Sequence, residues 1–190
     1  MAKLADYSGK FNPNAKYEDF SSEALARLMD GWARIFLLLD GLWWGHVSEK
    51  FDTRDAFEID KANWVRLARP ETNWIRKALN IKGDDVETLF KIMQMDIGFP
   101  QGALVAQWEL KNPNHGVLTV LKCSGKDWYE KNLPKWVEPL CQDLDATAFA
   151  EYSKCINPDI QVIPLVVPHH DRENEFACKF EFKLEKEDIE

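Results

Sequence analysis

Nowhere in these 190 residues do lysines and arginines gather into a basic patch, and 24 of them stand against 32 aspartates and glutamates, for a net charge of −8 at pH 7. Nucleic-acid binding draws its affinity from cations that displace counterions from phosphates, so this composition excludes it as a function. Anionic membrane surfaces are disfavoured for the same reason. A membrane-crossing run is also missing: the most apolar stretch, Ile35 to Trp44, contains Asp40 and Gly41 and covers only half of the roughly 20 residues required. The opening residues Met1 to Asp6 form no secretory leader, and the expected compartment is the cytoplasm. Cysteine is sparse, at positions 123, 141, 155 and 178, with no C-x-x-C pair. That spacing does not make a disulfide framework and fits reduced thiols. There is no internal repeat and no motif that identifies a reaction.

Aromatic residues, by contrast, are plentiful, with eight tryptophans and eleven phenylalanines. Such rings must pack inside or line a pocket. The chain divides near Pro100 into a helical half and a strand-rich half that holds all four cysteines. Residues 1–20 read as an N-terminal arm and 21–100 as a bundle of three to four helices. The α+β part spans 101–185, an acidic tail 186–190, and the whole is expected to form one compact unit.

Within the helical half, Ser21 or Ser22 caps a first helix running to about Phe51. Leu25, Leu28, Trp32, Ile35, Leu39, Leu42 and His46 alternate at three and four residues, which predicts one apolar stripe facing the core. A second helix starts at Asp52 or Thr53, and Pro70 predicts a break or kink in it. Trp74, Ile75, Ala78 and Leu79 continue an apolar face to Asn80. After Gly83, Asp84 and Asp85, a shorter helix buries Val86, Leu89, Phe90 and Met93.

From Ala103 the period becomes two. Ala106, Trp108 and Leu110 point one way, Asn112 to Gly116 turn the chain, and Val117 to Cys123 return as a second strand. Helical chain interrupted by Pro134 and Pro139 follows, with a restart at Asp145 that carries Phe149 and Tyr152 inward. Ile160 to Val167 contains Pro164, which places that strand at an edge or gives it a bulge. Phe176, Cys178, Phe180, Phe182 and Leu184 form the buried side of the last strand. The fold class is α+β, a helical bundle followed by an antiparallel four-stranded sheet (ββααββ) with helices on its apolar face.

Three constellations offer chemistry. Cys123, Cys141 and Cys178 with His170 could form a tetrahedral thiolate and imidazole set for zinc or iron, although isolated cysteines on apolar faces usually serve as small core residues. Cys178 with His169 would make a nucleophile and base pair, while a solvated polar loop is the commoner account of such histidines. Asp40 sits among leucines and tryptophans, where a carboxylate requires a partner or solvent. With His46 and Asp60 it could form a polar cluster facing a cavity lined by Trp43, Trp44 and Trp64, or an inter-helix hydrogen-bond set.

Leu39-Asp40-Gly41-Leu42-Trp43, Phe57-Glu58-Ile59-Asp60 followed by Trp64, Lys122-Cys123, Cys141, the stretch from Phe149 ending in Asn157-Pro158-Asp159-Ile160, and Cys178-Lys179-Phe180-Glu181-Phe182 together resemble a prokaryotic family of uncharacterised cytosolic proteins. More distantly they are similar to the L-2-amino-thiazoline-4-carboxylic acid hydrolase group. The resemblance covers roughly residues 22 to 185. It implies a helical N-terminal part, an α+β C-terminal part, and Cys123, Cys141 and Cys178 as the family's cysteines.

Three functions follow as expectations. The first is a cytosolic protein binding a small ligand or cofactor in an aromatic-lined pocket. The second is a metal- or cysteine-dependent hydrolase of a small nitrogen or sulfur compound. The third is a homodimeric assembly protein that buries aromatic surface against its own copy.

Overall fold

The structure is a computed structural model that describes residues 3–99, 104–171 and 175–185. The expected boundary between residues 100 and 101 and the acidic tail at 186–190 lie outside those residues. The arm docks through a parallel bridge of Leu4 with Phe20, and Tyr7 meets the Phe20 ring edge-on at 5.6 Å. Ser21 then caps α1 (Ser22–Lys50), its side chain accepting from the Ala24 amide. Asp52 caps α2 (Thr53–Leu79) in the same way through the Asp55 amide at 2.7 Å. Asn80 ends α2 in the left-handed conformation at φ 53°, which asparagine tolerates better than most residues.

Two expectations about these helices are corrected. The break at Pro70 does not occur, and α2 runs through it. Proline costs the helix one amide donor, but Ala68, Glu71 and Thr72 on either side are buried and α2 packs along the later helix α6 (Asp145–Ile156), which holds the line of the chain. The second correction concerns the apolar stripe of α1, which faces outward. Leu28, Trp32, Ile35, Leu39 and Leu42 are 42% to 65% exposed and His46 is exposed beside them. The helix carries a second apolar face, with Ala33, Phe36, Leu37 and Trp44, and that face meets α2 and the later helix α4 (Ser124–Asn132); Phe36 lies edge-on to Trp64 at 6.0 Å. Periodicity reveals that a stripe exists and does not say which of two stripes turns inward. Trp74 and Leu79, expected on an inner face, are likewise mostly exposed.

Asp85 caps α3 (Val86–Met93) by accepting from both the amide and the hydroxyl of Thr88, and Val86, Leu89, Phe90 and Met93 are buried. The strands are β1 (Leu104–Asn112), β2 (His115–Cys123), β3 (Ile160–Val166) and β4 (Cys178–Leu184), in the order β1-β2-β4-β3, each pair antiparallel. Between β2 and β3 lie α4 (Ser124–Asn132), a 3-10 turn, the one-turn α5 (Val137–Pro139), a π-helical turn at Leu140–Leu144, and α6 (Asp145–Ile156). The expected α+β architecture, with helices preceding and covering one face of a four-stranded antiparallel sheet, is the one observed. Pro164 sits in edge strand β3, where the register shifts between Pro164 and Val166.

The alternation of β4 is complete: Cys178, Phe180, Phe182 and Leu184 are buried, and the residues between them are half-buried. These side chains join Leu89, Phe90 and Ile92 of α3, Leu118 and Val120 of β2, and Phe149 and Tyr152 of α6 in the main core. Gly116 of β2 makes room for α3, since a Cβ there would stand 2.5 Å from the Phe90 ring. Trp44, Ala56, Tyr129, Val137 and Cys141 form a second, smaller core beneath α1.

Candidate functional site

The two cores leave a cavity between them of ≈ 600 Å³. Its walls come from α1 (Leu37, Asp40, Trp44), α2 (Asp60, Trp64), the stretch after α3 (Asp96, Phe99), β2 and β4 (Cys123, Cys178), α4 (Trp128, Tyr129), and the π turn with α6 (Leu144, Asp145, Tyr152). Trp44 meets Tyr129 at 5.7 Å and Trp128 at 6.2 Å, both edge-on, so three rings from two helices brace one wall. Of the expected ligand-site residues, Asp40, Trp44, Asp60 and Trp64 line this space. Trp43 packs against the smaller core, and His46 points outward on the exposed face of α1.

Carboxyl groups dominate the polar part of the lining, and among its described residues there is no lysine, arginine or histidine. Asp60 is 5% exposed and its Oδ1 has no hydrogen-bond partner. Burial, followed by the charges of Asp40 and Asp145, lifts its pKa to about 7 against the opposing effect of the Trp64 indole. Asp145 retains some surface because it borders the cavity, yet it lies deep enough that burial lifts it to about 7 as well. Burial also raises Asp40. Trp44 leaves its indole Nε1 without an acceptor. At the far end Tyr152 donates to Glu71, and Asp96 accepts from the Gly98 amide. Burial and the neighbouring Glu71 lift Asp96 to about 7, and burial raises Glu71 as well.

The expected metal set does not assemble. Among the described residues, no group of three or more His, Cys, Asp or Glu side chains is placed to hold a metal ion. Each candidate has another task. The Cys123 sulfur accepts from the Lys126 amide and caps α4, Cys141 belongs to the smaller core, and Cys178 belongs to the main one. The His170 ring stacks on Phe176 at 5.2 Å and bonds the Ala177 carbonyl at 3.1 Å. The three thiols do neighbour Asp145, which together with burial raises all three; Cys123 reaches about 11. Cys178 is therefore a thiol at neutral pH. His169 is exposed, and neither it nor His170 is among the described lining residues.

Asp145, Asp96, Trp128 and Tyr129 were not singled out in the sequence. Asp145 reads there as a helix start, but the helical chain continues into it through the π turn. The signal was present in its spacing: Cys141, Asp145, Ala148, Phe149 and Tyr152 recur at three and four residues and share the inner face. π turns of this kind recur at functional sites.

Among the described residues, no helix is long and apolar enough to cross a membrane. No curated protein and no solved structure matches the chain. Residues 18–184, from the turn before α1 to the end of β4, match the family of unknown function DUF6125, and the chain belongs to that family.

Proposed function

We propose that this member of the DUF6125 family binds a small molecule in the cavity between its two cores. The observation that carries the reading is the cavity itself: ≈ 600 Å³ of mostly apolar wall with a few convergent polar groups, of which Asp60 Oδ1 and Trp44 Nε1 lack partners. Pockets for small ligands have this size and make-up. A protein without a ligand to house would gain stability by collapsing such a space. Trp44 and Trp64 border it and supply the readout. A metabolite library is expected to contain compounds that shift tryptophan emission and raise the melting temperature; a library spanning cations, anions and neutral aromatics without one such compound would remove the reading.

The metal- or cysteine-dependent hydrolase is not taken further, because the buried thiols stay protonated and, among the described residues, no set is placed to hold a metal. A second reading has its own support in the outer face of α1. Leu28, Trp32, Ile35, Leu39 and Leu42 keep the three-and-four spacing of a coiled-coil seam, with Met29 and Leu38 exposed beside them. Contiguous apolar surface of this kind marks an interface. A seam of repeating heptad positions is complementary to itself across a twofold axis, so its proposed occupant is a second copy of this chain. Leu38 and Leu42 belong both to that face and to the cavity wall, and the second copy would border the ligand site.

A further inference from the structure

We infer that the molecule bound in this cavity is an apolar organic cation, one with a protonated nitrogen on an aromatic or branched aliphatic body. The inference rests on the small-ligand reading and names the class of ligand.

Three observations point to this class. The first is charge. Asp40, Asp60, Asp96 and Asp145 reach the lining from four separate segments, and no cationic side chain stands among the described lining residues to answer them. The cations nearby are engaged elsewhere: Lys61 bonds Asp143 at 2.8 Å and Glu58 at 3.2 Å, and Lys126 pairs with Glu130 one turn along α4. An anionic ligand would meet four carboxyl groups, against which the unpartnered Trp44 Nε1–H is a neutral donor that brings no counter-charge. The second is the unpartnered Asp60 Oδ1 on a side chain that is 5% exposed. A buried carboxylate oxygen without a donor is costly, and a ligand N–H⁺ provides the donor and the counter-charge together. The third is the wall around it. Trp44, Trp64, Trp128 and Tyr129 supply aromatic lining for the body of such a ligand, and ring faces attract cations strongly once both are withdrawn from water.

The groups facing Asp60 from the elements packed on it are Asp40 of α1, Asp145 of α6 and Tyr129 of α4, with Trp64 on its own helix. All the titratable members are acids, so raising the pH through about 7 adds negative charge to the site while an alkylamine stays protonated. Cation binding should strengthen over that range.

The test is calorimetric titration with three probes of one shape: 1-naphthylmethylamine, the neutral 1-naphthylmethanol and the anionic 1-naphthoate. The amine is expected to bind at least about tenfold tighter than the alcohol, with the carboxylate weakest, and to tighten from about pH 6 to about pH 8. Asp60→Asn, which keeps the shape and removes the charge, should lower amine affinity about tenfold or more and leave the alcohol unchanged, with the circular dichroism of the variant confirming its fold. Alcohol or carboxylate binding as tightly as the amine would overturn the cation inference and leave the small-ligand reading standing. Failure of all three probes to bind would overturn the inference, and the metabolite library separately decides the broader reading.

Discussion

Asp60, Asp96 and Asp145 titrate at about 7 in the folded protein, whereas in the unfolded chain they return to about 3.9. Between those values the folded state keeps protons that the unfolded state has released. Stability from these groups is therefore fully present below about pH 4, falls as pH rises, and levels out above about 7. Glu181 and Asp85 are shifted the other way, by hydrogen bonds, and act only at the acid end of the range. The ligand-free protein should have a higher urea midpoint at about pH 5.5 than at about pH 8. Asp60→Asn should flatten that slope and add roughly 1–3 kcal/mol at the higher pH, since it removes a charge that burial penalises. A midpoint that rises with pH would contradict the assignment. Single residues were partly legible in the sequence. Asp40 and Asp60 stand out because a carboxylate among leucines and tryptophans demands an explanation, whereas Asp145 looks like an ordinary helix start unless its three-and-four spacing from Cys141, Ala148, Phe149 and Tyr152 is followed across the π turn.

The elements with one buried face were the most legible. β4 alternates over its whole length, and α3 packs its apolar residues as their spacing implies, because each has a single apolar side and no choice to make. The long helices are different. α1 has two apolar faces, and the choice between them is made by α2 and α4, which lie elsewhere in the chain. Pro70 carries a helix-breaking signal that packing against α6 overrides. That override has a measurable cost: Pro70→Ala returns an amide donor to the ladder of α2 and relieves the ring's clash with the preceding turn. Its gain should exceed the few tenths to one kcal/mol lost by loosening the unfolded chain. A net increase of about 1–2 kcal/mol in unfolding free energy is expected. A decrease would show that the ring itself fills space against α6.

For the molecule as a whole, the two cores and the cavity between them follow from contacts over long sequence distances, which is why only the α1 and α2 part of the wall, Asp40, Trp44, Asp60 and Trp64, could be anticipated. The cysteines illustrate the point. Cys123, Cys141 and Cys178 converge on Asp145, yet three different packing duties keep them from acting together. The outer seam of α1 sets the expected assembly. Sedimentation at micromolar concentration should give a dimer, and Leu39→Glu, at an exposed position in the middle of the seam, should give a folded monomer. A wild-type monomer under those conditions would remove the second reading.

The borders of the sheet bear on how this protein fails. β3 presents a proline and a register shift along one free edge, and β1 breaks register twice along the other, between Val105 and Ala106 and between Leu110 and Asn112. Neither border offers a straight row of amides and carbonyls on which a foreign strand could grow. Fibril growth by strand addition is thereby blocked at both ends, and heat or crowding should drive amorphous clumping through exposed leucines in place of ordered amyloid.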